Sequence, residues 1–315
     1  MEQAPPIIET DGLTRDFRKT RAVDSLDLSI QPGELFGLVG PDGAGKTTTL
    51  RLLAGLLDIT SGSATVAGYD LARQPEAVKR RIGYMAQQFS LYGELSVVEN
   101  LFFFSELYDV PRSELKQRTE RLLAFAGLTD FKDRWAVQLS GGMQKKLALA
   151  CTLIHEPEIL LLDEPTTGVD PVSRREFWDI LTDLYLGGTT ILVSTPYMDE
   201  ADRCSRVGLM YTGRMVICAE PRQIRAQIEG ELIELRPDDW QAALALVETL
   251  PGVHEVQTYG ELLHVFVDSG DQRLPEIEAA LMEHGVAYRG IRRATARMEE
   301  AFISLIKRLE EGRED

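Results

Sequence analysis

One segment of the chain has the residue types of a phosphate-binding loop: Gly40, Pro41, Asp42, Gly43, Ala44, Gly45, Lys46, Thr47 and Thr48. It fits the pattern G-x-x-x-x-G-K-[ST] between an apolar run at 34–39, typical of a buried strand, and a helical run at 48–53. The glycines allow several backbone N–H groups to point at one anion, and the following helix adds its positive end. We expect Lys46 to contact the β- and γ-phosphates of a nucleotide and the Thr47 hydroxyl to ligate Mg²⁺. The alternative, a glycine-rich turn without a ligand, is disfavoured by the motifs that follow.

Two adjacent carboxylates, Asp163 and Glu164, end an apolar run at 159–162 that is typical of a buried parallel strand. Acidic residues rarely end such a strand without a functional reason, so solvated loop acids are the weaker alternative. We expect Asp163 to hold Mg²⁺, directly or through water, and Glu164 to polarise the attacking water. Gln87 ends the strand predicted at 82–87. At the carboxyl edge of the same sheet it can contact Mg²⁺ or that water.

A second anion-binding tip is predicted where Ser140, Gly141 and Gly142 precede a helix that runs to about residue 155. Ser140 can cap this helix, and the two glycines leave bare backbone N–H groups at its positive end. One chain seldom needs two groups that bind a γ-phosphate, whereas two chains that face each other do. The tip of one chain is therefore expected to complete the nucleotide site of another.

Phe17 lies in a polar, basic segment at 13–20, which we predict to be a loop between strands at 7–11 and 22–30. An aromatic side chain shortly before a phosphate loop can stack on a purine base. The alternative is that Phe17 is a core residue at the end of a strand.

The elements around these residues alternate as in a mostly parallel α/β sheet. Strands are also predicted at 64–68, 189–194 and 207–210, and helices at 74–81, 112–126 and 174–186. A further helix at 96–108 begins with a capping-box spacing of Ser96 and Glu99. Its apolar residues cover more than one face, so either one face is left for a partner or its own domain buries the helix on two sides.

The composition changes near residue 230. The following pattern predicts strands at 232–235, 253–258, 262–267 and 287–291 and helices at 239–250, 274–284 and 297–309. The order βαββαβ plus a helix is that of a small ferredoxin-like module. It carries no glycine cluster, metal-ligand spacing or acid pair, so we expect a regulatory or interface role. We therefore predict domains at 1–230, with a helical subdomain at about 88–158, and at 231–315.

The 315 residues carry a formal net charge of −16. This acidic balance argues against a broad nucleic-acid-binding surface and against charge-driven docking on anionic lipid. The three cysteines, Cys151, Cys204 and Cys218, have no metal-ligand spacing and are odd in number, which predicts reduced thiols in a cytosolic compartment. No apolar run is long enough to cross a bilayer, and the N-terminus lacks a signal-peptide pattern. A partner would therefore supply any membrane span.

Over residues 7–225 the chain resembles the nucleotide-binding subunits of ATP-binding cassette (ABC) transporters, in particular those of drug and antibiotic exporters with an ABC-2-type permease. The sequence Leu139-Ser140-Gly141-Gly142 is the most specific sign, because P-loop kinases and GTPases lack it. The C-terminal module is also similar to that seen after such cassettes. The resemblance implies a P-loop NTPase core of mostly parallel sheet flanked by helices, with an N-terminal antiparallel β subdomain, a helical signature subdomain and a ferredoxin-like C-terminal domain.

The resemblance also implies a role for each matching residue, with ATP and Mg²⁺ as ligands. The roles fall as follows: the adenine-stacking aromatic on Phe17, the Walker A loop on 40–48, the Q-loop glutamine on Gln87, the signature on Ser140, Gly141 and Gly142, the Walker B aspartate on Asp163, the catalytic base on Glu164 and the D-loop on Asp170. Two cassettes would sandwich two ATP molecules, and hydrolysis would reopen them while a permease alternates access.

The implied partners are an integral-membrane ABC-2-type permease and a second cassette, which is another copy or a fused or separate cassette. Such a subunit is cytoplasmic and peripheral on the inner face of the cell membrane. The helix at 96–108 and the segment after Gln87 lie where such cassettes receive the permease's coupling helix.

Two positions depart from the family pattern. Asp42 stands where asparagine is common, and we expect little effect. Pro196, within Ser194-Thr195-Pro196-Tyr197, takes the place of the switch histidine. Proline has no side-chain donor and no N–H, and a missing donor to the transferring phosphate typically costs about 2.7–4 kcal/mol in the transition state. We expect normal ATP binding and slow hydrolysis, with the partner cassette supplying most of the turnover.

Two other functions stay open from the sequence. A soluble, non-transport ABC ATPase that clamps on nucleic acid or ribosomes is disfavoured by the single cassette and by the acidic balance. A nucleotide-sensing regulatory cassette is disfavoured by Glu164, because a sensor that only binds does not need a catalytic base.

Overall fold

The computed structural model describes residues 4–88 and 91–311, which form two compact units. Predictions that fall on 1–3 of the N-terminus, on 89–90 after Gln87 or on 312–315 lie outside these residues. The first unit ends at Ala219, before the boundary predicted after residue 230. The difference arises because the helix Pro221–Arg225 packs against the helix Met298–Glu311 of the second unit. Whether the two units have separate tasks stays a prediction.

In the described part of the chain, no helix has both the length and the apolar composition that a membrane span requires.

An antiparallel sheet begins the first unit, as predicted. It consists of β1 (Ile8–Phe17), β2 (Thr20–Ile30), β4 (Ser61–Val66) and β5 (Tyr69–Asp70), in the order β2-β1-β4-β5. The loop predicted at 13–20 is wrong. Leu13 is fully buried and pairs with Leu26, so β1 continues to Phe17 and turns directly into β2. The sequence pattern did not indicate a strand here, because the segment has too few apolar residues to show the alternation of apolar and polar positions.

A six-stranded sheet forms the core and confirms the predicted parallel arrangement. Its strands are β3 (Leu35–Val39), β6 (Ile82–Met85), β7 (Ile159–Asp163), β8 (Thr190–Thr195), β9 (Arg206–Tyr211) and β10 (Arg214–Ala219), in the order β10-β9-β3-β8-β7-β6. Only β9 and β10 are antiparallel neighbours in it. Strands β3, β7 and β8 are buried along their whole length, as expected for a sheet covered on both faces. Their carboxyl ends meet at one edge.

Helices surround this sheet. They are α1 (Lys46–Leu53), α2 (Pro75–Lys79), α3 (Val97–Leu107), α4 (Arg112–Phe125), α5 (Gly141–Leu153), α6 (Pro171–Leu186) and α7 (Met198–Ala201). The capping box of α3 is confirmed, since Ser96 Oγ accepts from the N–H of Glu99 and Glu99 Oε2 accepts from the N–H of Ser96. Helix α6 begins before the predicted residue 174, because Asp170 caps it and Pro171 is tolerated in its first turn. Helices α3, α4 and α5 pack on one another as a helical subdomain.

The second unit has the predicted ferredoxin-like order. After α8 (Pro221–Arg225) it contains β11 (Glu231–Pro237), α9 (Trp240–Val247), β12 (Val253–Tyr259), β13 (Leu262–Val267), α10 (Gly270–Glu283), β14 (Tyr288–Ala294) and α11 (Met298–Glu311). Its antiparallel sheet runs in the order β12-β13-β11-β14. The core between this sheet and α9 and α10 includes Ile233, Val265, Val247 and Ile277.

Gly83 of β6 provides a test of how tightly the helical subdomain packs on the sheet. A Cβ there would lie 2.7 Å from Cγ2 of Thr152 in α5 and 2.9 Å from Cδ2 of Leu160 in β7. Gly83→Ala is therefore expected to lower the free energy of unfolding by about 1–3 kcal/mol, the usual cost of overpacking. Urea denaturation measures this. Gly290→Ala is the control, because Gly290 also lies in a strand but has open space at its Cβ position. An unchanged midpoint for Gly83→Ala would contradict tight packing of α5 on β6.

Candidate nucleotide-binding site

The glycine-rich loop between β3 and α1 forms one wall of a cleft of about 670 Å³. Lys46 begins α1 and is buried, and its Nζ donates to the carbonyl oxygens of Gly40 (2.8 Å) and Pro41 (3.0 Å). Gly45 has a φ of 105°, and a Cβ at this position would lie 2.4 Å from the carbonyl oxygen of Ala22. The loop can therefore adopt this path only with glycine there. The cleft is lined by Phe17, Thr20, Arg21, Ala22, Asp42, Gly43, Ala44, Gly45, Lys46, Thr47, Thr48, Gln87, Glu164 and Thr212.

The three residues predicted to be catalytic meet at the carboxylate of Glu164. Nζ of Lys46 lies 3.3 Å from Oε1 of Glu164, and Nε2 of Gln87 donates to Oε2 at 2.9 Å. The hydroxyl of Thr167 donates to the same Oε2 at 3.3 Å. Both carboxylate oxygens are thus held from different elements, and the side chain is almost completely buried. This arrangement fixes the direction of Glu164 in the cleft.

The backbone of Glu164 is in the left-handed region, with a φ of 45°. This conformation costs a residue other than glycine about 1–3 kcal/mol and persists where the surroundings hold it. Its N–H donates to both Oγ (3.0 Å) and the carbonyl oxygen (3.2 Å) of Ser194 in β8. Glu164 therefore leaves β7 in a turn that the neighbouring strand stabilises.

Asp163 is surrounded by hydroxyl groups. It is fully buried at the end of β7. Its Oδ1 accepts from the hydroxyls of Thr47 (3.0 Å) and Ser194 (2.8 Å), and the hydroxyl of Tyr84 lies 3.5 Å from Oδ2. Carboxylate and hydroxyl oxygens are hard ligands of the kind that Mg²⁺ prefers. The residues at this position therefore fit Mg²⁺.

Across the described residues, no cluster of three or more histidine, cysteine or acidic side chains could hold a metal. Mg²⁺ is usually bound by one or two protein groups together with substrate phosphates. Thr47, Asp163 and Gln87 remain the predicted ligands.

The signature residues do not share the lining of the Lys46 cleft, as far as the structure describes the chain. Ser140 is exposed and caps α5, with Oγ accepting from the N–H of Met143 (3.3 Å). Gly141 lines a separate cleft of about 390 Å³ together with Gln87. Gly142 is buried, and a Cβ there would lie 2.4 Å from Oγ of Ser173 in α6. At the tip of α5, Gly141 is therefore exposed, whereas Gly142 is buried where a side chain would collide with Ser173.

Asp170 also lies apart from the lining of the Lys46 cleft in the described chain. Its Oδ1 accepts from the N–H groups of Val172 (3.1 Å) and Ser173 (3.0 Å) and caps α6. The hydrogen bond from the Ser173 backbone lowers the pKa of Asp170. The role of Asp170 as the D-loop residue stays a prediction.

Phe17 is the last residue of β1 and lines the Lys46 cleft. It is at a strand end, as the alternative held, but it is not a core residue, because 40% of its surface is exposed. The guanidinium of Arg15 lies 4.7 Å from the ring centroid. Stacking on adenine stays the prediction for Phe17.

Two contacts around Gln87 and Asp163 were not predicted. Lys145 of α5 donates from Nζ to the carbonyl oxygen of Gln87 at 2.8 Å, and burial lowers its pKa. Ser194 bonds both Asp163 and Glu164, as described above. The sequence signal for Ser194 was a hydroxyl at a strand end, but its meaning depends on β8 being the neighbour of β7, which the order along the chain does not reveal.

Pro196 follows β8 and is half-buried. The preceding residue is fixed, because the hydroxyl of Thr195 donates to Oε2 of Glu200 at 2.6 Å. Oε1 of Glu200 accepts from the hydroxyl of Thr166 at 2.8 Å. The buried carboxylate of Glu200 thus ties the segment around Pro196 to the loop that follows Glu164.

The chain is similar to several known proteins. The ABC transporter family model matches residues 23–167. "Daunorubicin resistance ATP-binding protein DrrA3" of Streptomyces coeruleorubidus is 36% identical over 305 residues, which cover 96% of each chain. "Probable multidrug ABC transporter ATP-binding protein YbhF" of Escherichia coli (strain K12) is 43% identical over 221 residues, 70% of this chain. The match covers only 38% of the length of YbhF.

A solved structure supports the fold. The ATP-binding cassette MJ0796, in a dimeric post-hydrolysis state bound to ADP and Pi, aligns with a TM-score of 0.62 and 25% identity, covering 68% of this chain and 98% of its own. The first unit therefore has the cassette fold, and the match to DrrA3 extends over both units. The chain belongs to the family of ABC transporter ATP-binding proteins, which are cassette ATPases.

Proposed function

We propose that this chain is the ATP-binding and ATP-hydrolysing subunit of an ABC-2-type exporter that acts with a separate integral-membrane permease. The observation that carries the proposal is the meeting of Lys46, Thr47, Gln87, Asp163 and Glu164 at one edge of the sheet. The name of DrrA3 assigns that relative to drug resistance, which supports export as the class of transport.

The proposal requires two cassettes. Ser140 and Gly141 are exposed at the tip of α5, and neither lines the cleft of Lys46 in the described part of the chain. In the proposed dimer, this tip binds the γ-phosphate held by the glycine-rich loop of the mate, which is a second copy or a fused or separate cassette. The dimeric state of MJ0796 supports this arrangement.

The residues divide the chemistry between them. Lys46 binds the β- and γ-phosphates, and Glu164 accepts a proton from the water that attacks the γ-phosphorus while the bond to ADP breaks. Gln87 and Thr167 orient the Glu164 carboxylate. Thr47 and Asp163, with Gln87, would hold Mg²⁺, which offsets phosphate charge when bound.

Pro196 is proposed to slow this reaction. In the place of the switch histidine it offers no donor to the transferring phosphate, whereas Lys46, Thr47 and Phe17, which are proposed to bind the ground state, are all in the cleft. The site is therefore proposed to bind ATP normally and to turn it over slowly.

Helix α3 is proposed as the contact with the permease, which makes the subunit peripheral on the inner face of the membrane. Val97 and Leu101 are buried, but Phe102 and Leu107 are 48% and 62% exposed. This supports the first alternative, a face left for a partner. Residues 89–90 of the neighbouring segment lie outside the described chain.

Glu164→Gln tests the two-sided grip on ATP. Glutamine keeps the shape of the side chain but cannot accept the proton, so ATP persists and the sandwich is expected to accumulate. Light scattering after gel filtration with ATP and Mg²⁺ should give a dimer, whereas Glu120→Gln, at an exposed position of α4, should behave as the unmodified chain. A Glu164→Gln variant that binds ATP and stays monomeric would contradict a sandwich made of two copies of this chain.

Pro196→His tests the slow site. The added imidazole donor is expected to raise kcat at least tenfold, towards the range of about 10²–10³ that one donor can supply. Pro196→Ala is the matched control, because it removes the ring without adding a donor, and it should leave kcat unchanged. Steady-state phosphate release measures both. Rapid phosphate release by the wild type that Pro196→His does not change would contradict the proposal that Pro196 slows hydrolysis.

Phe17→Ala tests base stacking. Loss of one aromatic–base stack is worth about 1–3 kcal/mol, so the Kd for ATP is expected to rise about tenfold while the Kd for inorganic tripolyphosphate stays the same. Calorimetric titration measures both ligands. Phe131→Ala is the control, because Phe131 also carries an arginine near its ring, at 4.8 Å, but does not line the Lys46 cleft. Equal weakening of both ligands would show that Phe17 acts through the fold of β1.

A further inference from the structure

We propose that Ser194 is a positioning residue of the hydrolytic site and sets Asp163 and Glu164 relative to each other. The inference rests on the proposed ATPase function and deepens it. Ser194 is fully buried in β8 and lies opposite Asp163 in the parallel pairing of β7 and β8. Its hydroxyl contacts both carboxylate residues, Asp163 and Glu164.

The hydroxyl of Ser194 serves both residues at once. A hydroxyl has one proton to donate and two lone pairs with which to accept. Oγ of Ser194 donates that proton to Oδ1 of Asp163 at 2.8 Å and accepts the N–H of Glu164 at 3.0 Å. One atom therefore fixes the side chain proposed to hold Mg²⁺ and the backbone of the proposed base.

Neither contact has an easy replacement. Asp163 is fully buried, so without the Ser194 hydroxyl its Oδ1 would accept only from the Thr47 hydroxyl. A buried acceptor with an incomplete set of hydrogen bonds is destabilising. The N–H of Glu164 would keep only the longer bond of 3.2 Å to the Ser194 carbonyl. Glu164 also needs support for its φ of 45°. Loss of the hydroxyl is thus expected to loosen both residues.

The surroundings make Ser194 a rigid support. Thr195, the next residue, donates to Glu200, which also accepts from Thr166. The end of β8 is therefore anchored on the side away from Ser194, and the Thr195 hydroxyl is committed to Glu200. Pro196 offers no side-chain donor. Ser194 is accordingly the β8 hydroxyl that acts on the carboxylates of the site.

Ser194→Ala tests this on the full chain, with Mn²⁺ as the probe for the metal. Removing a group that orients a metal ligand typically costs about 10–100-fold in metal affinity or activity. We expect losses in that range for kcat and for Mn²⁺ binding to the ATP-loaded protein, followed by electron paramagnetic resonance. The Kd for ATP in EDTA should change by less than about twofold, because metal-free binding does not involve Asp163. Ser194→Cys, which keeps a weaker S–H donor, should fall between Ser194→Ala and wild type.

Thr190→Val is the matched control. Thr190 is also buried in β8, but its hydroxyl accepts the N–H of Gly33 at the opposite end of the strand, 2.9 Å away. The Thr190→Val substitution removes one buried hydroxyl outside the site, so kcat and Mn²⁺ affinity should stay within about twofold of wild type. Its stability in urea should fall as that of Ser194→Ala does.

Two results would overturn the inference. Folded Ser194→Ala or Ser194→Cys protein with the wild-type Mn²⁺ affinity and kcat would show that the hydroxyl does not position the carboxylates. Equal losses in Thr190→Val would show a general effect of weakening β8. In both cases the wild type still binds and hydrolyses ATP, and the proposed function stands. A wild type that binds no ATP would instead overturn the proposed function and this inference together.

Discussion

Parallel pairing of β3, β8 and β7 is the constraint on which the rest of this molecule depends. Because neighbouring parallel strands end at the same edge, the loop after β3, the carboxylates after β7 and the hydroxyl near the end of β8 meet there without any further device. The sheet is buried on both faces, so the polar groups at its edge find their partners in one another. Thr47, Asp163 and Ser194 are joined in this way.

Burial explains why Glu164 is held by several groups rather than by one. A carboxylate out of contact with water must be paired or hydrogen-bonded, and Lys46, Gln87 and Thr167 supply those contacts from three separate segments. In the proposed mechanism, a movement of any of these segments on nucleotide binding would therefore change a contact of the Glu164 carboxylate. The left-handed backbone of Glu164 is stabilised by β8, because its N–H donates to Ser194 there.

Most of the fold was predictable because its strands and helices carry strong periodic patterns, and the order βαββαβ of the second unit was read correctly from them. The strand through Leu13 to Phe17 was missed because polar residues dominate it, while tertiary pairing with β2 decides its conformation. Residues with a fixed local spacing, such as Lys46 and Thr47, lie together in one cleft, as the motif leads one to expect, while their roles stay predictions. The contacts of Ser194 and Lys145 could not be predicted, because they depend on which elements become neighbours in space.

The close approach of Gly142 to Ser173 has a consequence for how two cassettes would communicate. Ser173 is also bound through its N–H to Asp170, so the tip of α5 and the start of α6 are linked with no room for a side chain between them. Because these segments are in close contact, we expect a displacement of one to move the other. In the proposed dimer, a change at the triphosphate that contacts the tip of α5 would thereby move Ser173 and, with it, Asp170 at the start of α6.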